Sequence, residues 1–320
     1  MKILVIQNRM GIGDTVIFLP YIKALSKKFN SPISLLVKEN SKADQFLFQT
    51  NYIDKILLLE RNKKNTDRHS GFLGVLNLIK DIKKHKFDKI IIFNSSLRFY
   101  LIAKFSNIPE IYQYPLFKKN RQHITDTPRK FMKDKFNLDV NEDPEIQINQ
   151  NLISQSSKKF QINKNEINIL LGIGGSGSTK RIPAKTFIDV IKILSKKKRC
   201  KFFLATGKNS DEQFILNEIL QSECNDLCVP LDDLSIKETL PIIKNCDLSI
   251  CNDSSFSHLS AALGIKTITL MADTPLIYGN YSSLMFPIIP EGEKTVTHNT
   301  LGKEKISSEK ILEQIIKILN

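Results

Sequence analysis

The chain has 320 residues, 41% of them hydrophobic and 25% charged, and carries a formal net charge of +14 from 47 Lys and Arg against 33 Asp and Glu. That length suffices for two α/β domains, each with a full core, and no run of about 18 or more apolar residues offers a membrane-crossing helix. The opening segment Met1-Lys2-Ile3-Leu4-Val5-Ile6-Gln7 is too short for a signal-peptide core and has no small-residue cleavage site, so a cytoplasmic location is expected.

The first half alternates strand and helix. Strands are predicted over residues 2–7, 32–37, 55–59 and 89–93, and helices over 14–29, 42–49 and 72–85, with a polar, basic loop at 62–70. Lys89-Ile90-Ile91-Ile92-Phe93 is apolar enough to require the interior of a sheet. Residues 141–165 turn polar, rich in Asn, Gln and Ser, and are the candidate interdomain connection. The plan then restarts, with strands at 167–173, 201–205, 248–251 and 266–270. Helices are predicted at 184–196, 211–221, 235–244, 257–263 and 307–319. Short strands separated by helices mean βαβ units and parallel sheets. The expected domains are 1–155 and 156–320, with the terminal helix free to pack back on the first.

Three polar turns carry the candidate chemistry. Asn8-Arg9-Met10-Gly11-Ile12-Gly13-Asp14-Thr15 follows the first strand. Gly11-Ile12-Gly13 invites a dinucleotide reading, but Val16 occupies the third glycine position. Asp14 is suited to taking a proton from a hydroxyl, or to capping the helix that begins beside it. Gly172-Ile173-Gly174-Gly175-Ser176-Gly177-Ser178-Thr179-Lys180-Arg181-Ile182-Pro183 runs from a buried strand into a glycine- and hydroxyl-rich loop. It reads as a phosphate contact in which Lys180 supplies the charge, or as a flexible connection. Cys251-Asn252-Asp253-Ser254-Ser255-Phe256-Ser257-His258 places a strand end against a helix start, where unpaired amides and the helix dipole favour an anion. Asp253 also suits an N-cap, and His258 a structural role. Two such turns in the two halves suggest a ligand in a cleft between domains.

Part of the lysine excess belongs with an Asn- and Ile-rich composition and reads as solvated surface. Arg98, Lys104, Lys118, Lys119, Arg121, Arg129, Lys130 and Lys133 nevertheless cluster in the first half. Such a face would draw an acidic partner. No nucleic-acid module is present by motif, so an anionic glycolipid at a membrane surface is the expected partner. Arg98 and Arg121, with Arg9 of the first turn, are the candidate acceptor-binding residues. Cys200, Cys224, Cys228, Cys246 and Cys251 form no C-x-x-C pair and read as free thiols. His258 has no second ligand at metal spacing, so neither a metal nor a cofactor is expected.

Arg9-x-x-x-Gly13-Asp14 with Pro20, Lys180-Arg181-Ile182-Pro183 and Asp253-Ser254-Ser255-Phe256-Ser257-His258-Leu259-Ser260-Ala261-Ala262 together resemble the family 9 glycosyltransferases. These are the heptosyltransferases of lipopolysaccharide inner-core assembly. The second motif is similar to a Lys-x-Trp-Pro element and the third to D-[ST]-G-x-x-H-L-x-A-A. The resemblance implies a GT-B fold, two Rossmann-like domains with parallel sheets facing across a cleft. It implies an inverting glycosyltransferase that moves a sugar, heptose from ADP-heptose, onto a lipopolysaccharide core or related glycan. Such an enzyme would work in the cytoplasm, peripheral to the inner face of the inner membrane. Asp14 would be the general base. Gly175, Ser176, Lys180, Asp253, Ser254, Ser255 and His258 would hold the donor diphosphate, with Leu234 against adenine and Glu212 near the ribose. Three positions depart from the pattern: Ser255 replaces the signature glycine, Ile182 replaces Trp, and Ala272-Asp273-Thr274 stands for Gly-Pro-Thr. They keep open a second reading, a non-catalytic nucleotide-sugar or glycan-binding member.

Overall fold

The computed structural model describes residues 1–61, 67–117 and 123–319. Two compact units divide the chain, Met1–Gln147 and Ile148–Asn320.

The first unit is built on β1 (Ile3–Gln7), β2 (Ile33–Lys38), β3 (Ile53–Leu59), β4 (Lys89–Ile92) and β5 (Glu110–Gln113). They form one parallel sheet in the order β3-β2-β1-β4-β5. Its helices are α1 (Ile12–Phe29), α2 (Ala43–Phe46), α3 (Gly71–Lys83), α4 (Leu97–Phe105) and α5 (Asp126–Phe136). All of β1 is buried, as a central strand covered on both faces must be. Leu4 and Ile6 meet Leu78 and Ile82 of α3 and Phe99 and Ile102 of α4 in one core cluster. Because successive strand side chains alternate, Ile3 and Val5 point to the other face.

The second unit begins with α6 (Gln150–Lys159) and contains β6 (Ile167–Gly172), β7 (Cys200–Ala205), β8 (Cys228–Pro230), β9 (Leu248–Asn252), β10 (Thr267–Leu270) and β11 (Met285–Ile288). The sheet order is β11-β10-β9-β6-β7-β8, again all parallel. Helices α7 (Ala184–Ser195), α8 (Ser210–Leu220), α9 (Ile236–Ile243), α10 (Ser255–Ala262) and α11 (Ser308–Leu319) flank it. The division falls before α6, not after residue 155. This polar helix is capped by Asn149, whose side chain accepts from the Asn151 amide. It is anchored by Asn245, which donates to the Ile153 carbonyl at 2.9 Å and to Ser156 Oγ at 3.0 Å. The terminal helix α11 buries Ile311, Ile315 and Ile318 in the core of the second unit, alongside Phe187 and Ile191 of α7.

In each sheet the strand order reverses once, between β1 and β4 in the first and between β6 and β9 in the second. Loops leaving the carboxyl ends of strands on either side of such a point diverge and leave a crevice, where ligands of open α/β sheets bind. All three polar turns singled out in the sequence lie at these two points. Among the described residues, no helix is long and apolar enough to cross a membrane.

The placement of α11 has a measurable consequence. Ile315→Ala should lower stability by about 2–5 kcal/mol in urea unfolding, because Ile315 is fully buried. Its neighbour Ile316 is 49% exposed, and Ile316→Ala should change stability by no more than about 0.5 kcal/mol.

Candidate functional site

The crevice of the second unit is organised by Asn252, the fully buried last residue of β9. Its Nδ2 donates to the carbonyls of Ile173 at 2.7 Å and Gly174 at 3.2 Å, and its Oδ1 accepts from the Ile182 amide at 3.5 Å. One side chain thus ties the glycine-rich loop to β9. Ile182 packs with Phe187 in the core, so the apolar position of the Lys-Arg-Ile-Pro motif serves as ballast beneath the site.

Next in the chain, Asp253 is only 5% exposed at its side chain and accepts from Lys180 Nζ at 2.9 Å. Burial alone would raise its carboxyl. Lys180 and His258, with hydrogen bonds from Thr274 and Lys180, outweigh that and hold it below the ordinary carboxylate value. His258 Nε2 lies 3.9 Å from Asp253 Oδ1. On its other side, Nδ1 is 2.8 Å from the Tyr281 hydroxyl, and the two rings stack at 5.6 Å and 19°. Burial drives His258 down from 6.5 to about 4, with Asp253 pulling it up and Lys180 pushing it further down. The imidazole is therefore neutral near pH 7.

Ser254 is the N-cap of α10, in extended conformation and without a side-chain cap hydrogen bond. Its Oγ is buried and has no hydrogen-bond partner among the described residues. Ser255 is the first residue of α10, so this position takes an ordinary helical backbone and does not need a glycine. The amides of this first turn have no intrahelical acceptor, and they open beside Lys180, Asp253 and His258.

Glu212 is 93% shielded, at 7% relative exposure. Its Oε1 accepts from the Gly175 amide at 2.6 Å, and its Oε2 accepts from the Asn209 amide group. A Cβ on Gly174 would sit 2.4 Å from one of these oxygens, and one on Gly207 would sit 2.3 Å from the other. A side chain at either position would push the Glu212 carboxylate out of the place it now fills between them. Glu212 therefore sets the shape of the 174–177 loop. A ribose contact of the kind the family resemblance implies would have to use the small part of Glu212 that solvent reaches. The Gly175 amide serves Glu212, while Ser176 is exposed on the loop. Arg181 closes the loop from outside, its Nη1 reaching Asn209 at 3.2 Å and Asp211 at 3.1 Å. Leu234, half-buried just before α9, lies beyond β8 at the same carboxyl edge of the sheet.

Asp273 has a specific structural task. Asn299 and Leu301 adopt left-handed φ angles of 83° and 52°, and consecutive amides in such a turn converge on an anion. Asp273 accepts from the Leu301 amide at 2.9 Å. Burial pushes its carboxyl up, but the amides of residues 299–301 and the Thr179 hydroxyl hold it below its ordinary value. Its charge is thus matched by backbone donors and latches the 299–301 turn. Cys251, fully buried in β9, is a free thiol pushed up to about 12 by burial, so it is a packing group.

In the first unit, Gly11 is the N-cap of α1 with φ 97°, a conformation open to glycine. Asp14 is the third residue of the helix and not its cap. Its carboxylate lies near enough to Lys38 to pull that amine upward, against the stronger depression from burial and from Arg61. Asn94 Nδ2 donates to Asn8 Oδ1 at 2.5 Å, joining the loops after β4 and β1. A cavity of about 620 Å³ opens there, lined by Arg9, Asn94, Ser95, Ser96, Leu97, Arg98 and Phe117. Arg9 and Arg98, separated by almost ninety positions, thus line one cavity. Arg98 also donates to the carbonyls of Gly71 at 2.9 Å and His69 at 2.6 Å. Arg121, with Lys118 and Lys119, lies outside the described residues.

Asn252 and Tyr281 are among the contributors that the sequence does not assign, as are Asn94 and Asn209. Asn252 lies inside the turn at 251–258, where nothing local marks its role. Tyr281 lies in an irregular stretch beyond β10 and has no sequence signal.

The profile of glycosyltransferase family 9 (heptosyltransferase) matches residues 75–284, more than half of the chain. The chain belongs to glycosyltransferase family 9. A lipopolysaccharide heptosyltransferase 1 of Campylobacter coli is 30% identical over 166 residues, 51% of this family 9 chain and 48% of the relative, so the match spans about half that relative's length. Among solved structures, the ADP-heptose lipopolysaccharide heptosyltransferase II of E. coli gives a TM-score of 0.73 at 18% identity, covering 100% of this chain and 98% of that one. An E. coli heptosyltransferase with ADP gives 0.74 at 12% identity, covering 99% and 100%. These likenesses concern the fold, which is GT-B.

The buried histidine makes stability depend on pH in a defined direction. Its ordinary value is 6.5 and its folded value about 4, so between them the unfolded chain binds the extra proton. The His258 contribution is fully present above pH 6.5 and is lost as pH falls through about 4. Urea midpoints measured from about pH 7 down to about pH 5 should fall more steeply for the natural protein than for His258→Gln.

Proposed function

We propose that this family 9 member is an inverting glycosyltransferase whose second domain holds a nucleotide-sugar donor, ADP-heptose by analogy with its relatives. The acceptor is an anionic lipid-linked glycan of the lipopolysaccharide core type, met at the inner face of the inner membrane. The observation that carries the reading is the grouping of Lys180, Asp253, neutral His258 and the amino end of α10 at the strand-order reversal of the second sheet.

The chemistry follows from those groups. The acceptor hydroxyl oxygen attacks the anomeric carbon, its proton passes to Asp14, and the bond from that carbon to the diphosphate oxygen breaks. Negative charge then grows on the departing nucleoside diphosphate. Lys180 and the α10 amides, with the Ser254 hydroxyl, are aimed at that charge, and fixed donors of this kind act mainly on the transition state. A Tyr281 hydroxyl donating to Nδ1 leaves the His258 proton on Nε2, where a neutral ring donates to phosphate without adding charge. Ser176 and Ser255 add hydroxyls at the edge, while Gly175 and Glu212 fix the loop. Leu234 offers an apolar surface to the base. Arg9 and Arg98, and Arg121 by sequence, supply cations for the acidic acceptor. No metal or cofactor enters the scheme.

Three departures favour a binding-only member, and one of them, Ile182, is a core residue. Ser255 occupies an ordinary helical position and Asp273 latches a neighbouring turn, so each has a structural account that supports the catalytic reading.

Asp14→Asn should lower kcat by about 10² or more with nucleotide-sugar affinity retained, as loss of a general base requires. Steady-state transfer kinetics with ADP-heptose and a core oligosaccharide acceptor check this. An unchanged kcat would remove Asp14 from the mechanism.

A further inference from the structure

The solvent faces of α3 and α4 have the wrong polarity for helices of a monomeric soluble domain. At about 100° per residue, a helix that buries one face normally turns a polar face outward. On α4 the inward residues are Phe99, Ile102 and Ala103, yet the opposite face carries Leu97, Leu101 and Phe105 at a spacing of four, all exposed. On α3 the inward residues are Gly74, Leu78 and Ile82, while Phe72 and Leu73 are 78% and 72% exposed and Leu76 is exposed too.

These two stripes form one surface. Both helices cover the same face of the first sheet, and Arg98 ties the start of α4 to the Gly71 and His69 carbonyls at the start of α3. A contiguous exposed apolar patch of this kind marks an interaction site. Exposed lysines adjoin these apolar residues: Lys80 and Lys83 follow Leu76 by one and two turns on α3, and Lys104 stands beside Phe105 on α4. Apolar side chains beside lysines match a bilayer interface, where the former enter the acyl boundary and the latter meet phosphates.

We infer that the outward face of α3 and α4 seats this protein on an anionic phospholipid bilayer. Charge complementarity selects the lipid surface over a second copy of the chain. An isologous contact would gather both copies' lysines at one interface, on a protein of net charge +14. The patch also adjoins the cavity lined by Arg9, Leu97 and Arg98, at the carboxyl edge of the sheet. A lipid-linked acceptor could keep its chains in the bilayer while its head group reaches the arginines. Only this last point rests on the acceptor reading above.

The test is cosedimentation of the full chain with vesicles of phosphatidylethanolamine and phosphatidylglycerol, and separately with phosphatidylcholine alone. The natural protein should bind the anionic vesicles. The triple variant Phe72→Ser, Leu76→Ser, Leu101→Ser should bind them about tenfold or more weakly, with an unchanged circular-dichroism spectrum and unchanged turnover on a soluble acceptor. Lys80→Glu, Lys83→Glu, Lys104→Glu should lose the preference for anionic over neutral vesicles. Undiminished vesicle binding by the serine variant would overturn the inference. So would a lipid-free dimer that the serine variant converts to monomer, or binding to an acidic protein in place of vesicles. These vesicles contain neither donor nor acceptor glycan. Vesicle binding without transfer would therefore overturn the proposed function alone, and transfer without vesicle binding would overturn the membrane surface alone.

Discussion

A carboxylate buried at the end of a central strand needs a cation or hydrogen-bond donors to offset the cost of its burial. Asp253 has its cation in Lys180, 2.9 Å away, and the rest of the second site is arranged around the pair. Removing one member of such a pair leaves an uncompensated buried charge, a large penalty. Lys180 is thus held in place by Asp253, reaching in from a short 3-10 turn over Ser178–Lys180. His258 is kept neutral by its own burial, which Asp253 opposes and Lys180 reinforces. The result groups one paired cation, one neutral ring and the amino end of α10 at the strand-order reversal of the second sheet.

Both domains build their crevices by one device. Where strand order reverses, neighbouring loops part, and something must hold them at the right separation. In the second domain Asn252 bridges the loops after β6 and β9. In the first, Asn94 bridges to Asn8 across β4 and β1. A primary amide suits this position because it donates and accepts at once and adds no charge of its own. Glu212, seated between Gly174 and Gly207, extends the same logic outward to the loop that follows β7.

The sequence displayed the central strands and the polar turns clearly, since buried parallel strands read as continuous apolar runs and turns as clusters of Gly, Ser, Asn and Asp. It hid the periphery. β5, β8 and β11 are edge strands of three or four residues, too short to show a pattern. α6 buries only Ile153 and Ser156, so its sequence looks like a linker. Lysines and arginines punctuate α4 and α5, so their sequence looks like a basic stretch. Site residues within a turn were legible as types; their partners were not. Nothing local links Glu212 to the Gly175 amide, Asp273 to the turn at 299–301, or His258 to Tyr281, since each contact is made by tertiary packing.

The proposed activity turns most directly on Lys180 meeting the donor's phosphates. Calorimetric titration of ADP into the natural protein and into Lys180→Met measures this without acceptor or membrane. Loss of one charge-assisted phosphate contact should weaken ADP binding by about tenfold or more. An identical Kd for the two proteins would contradict the claim.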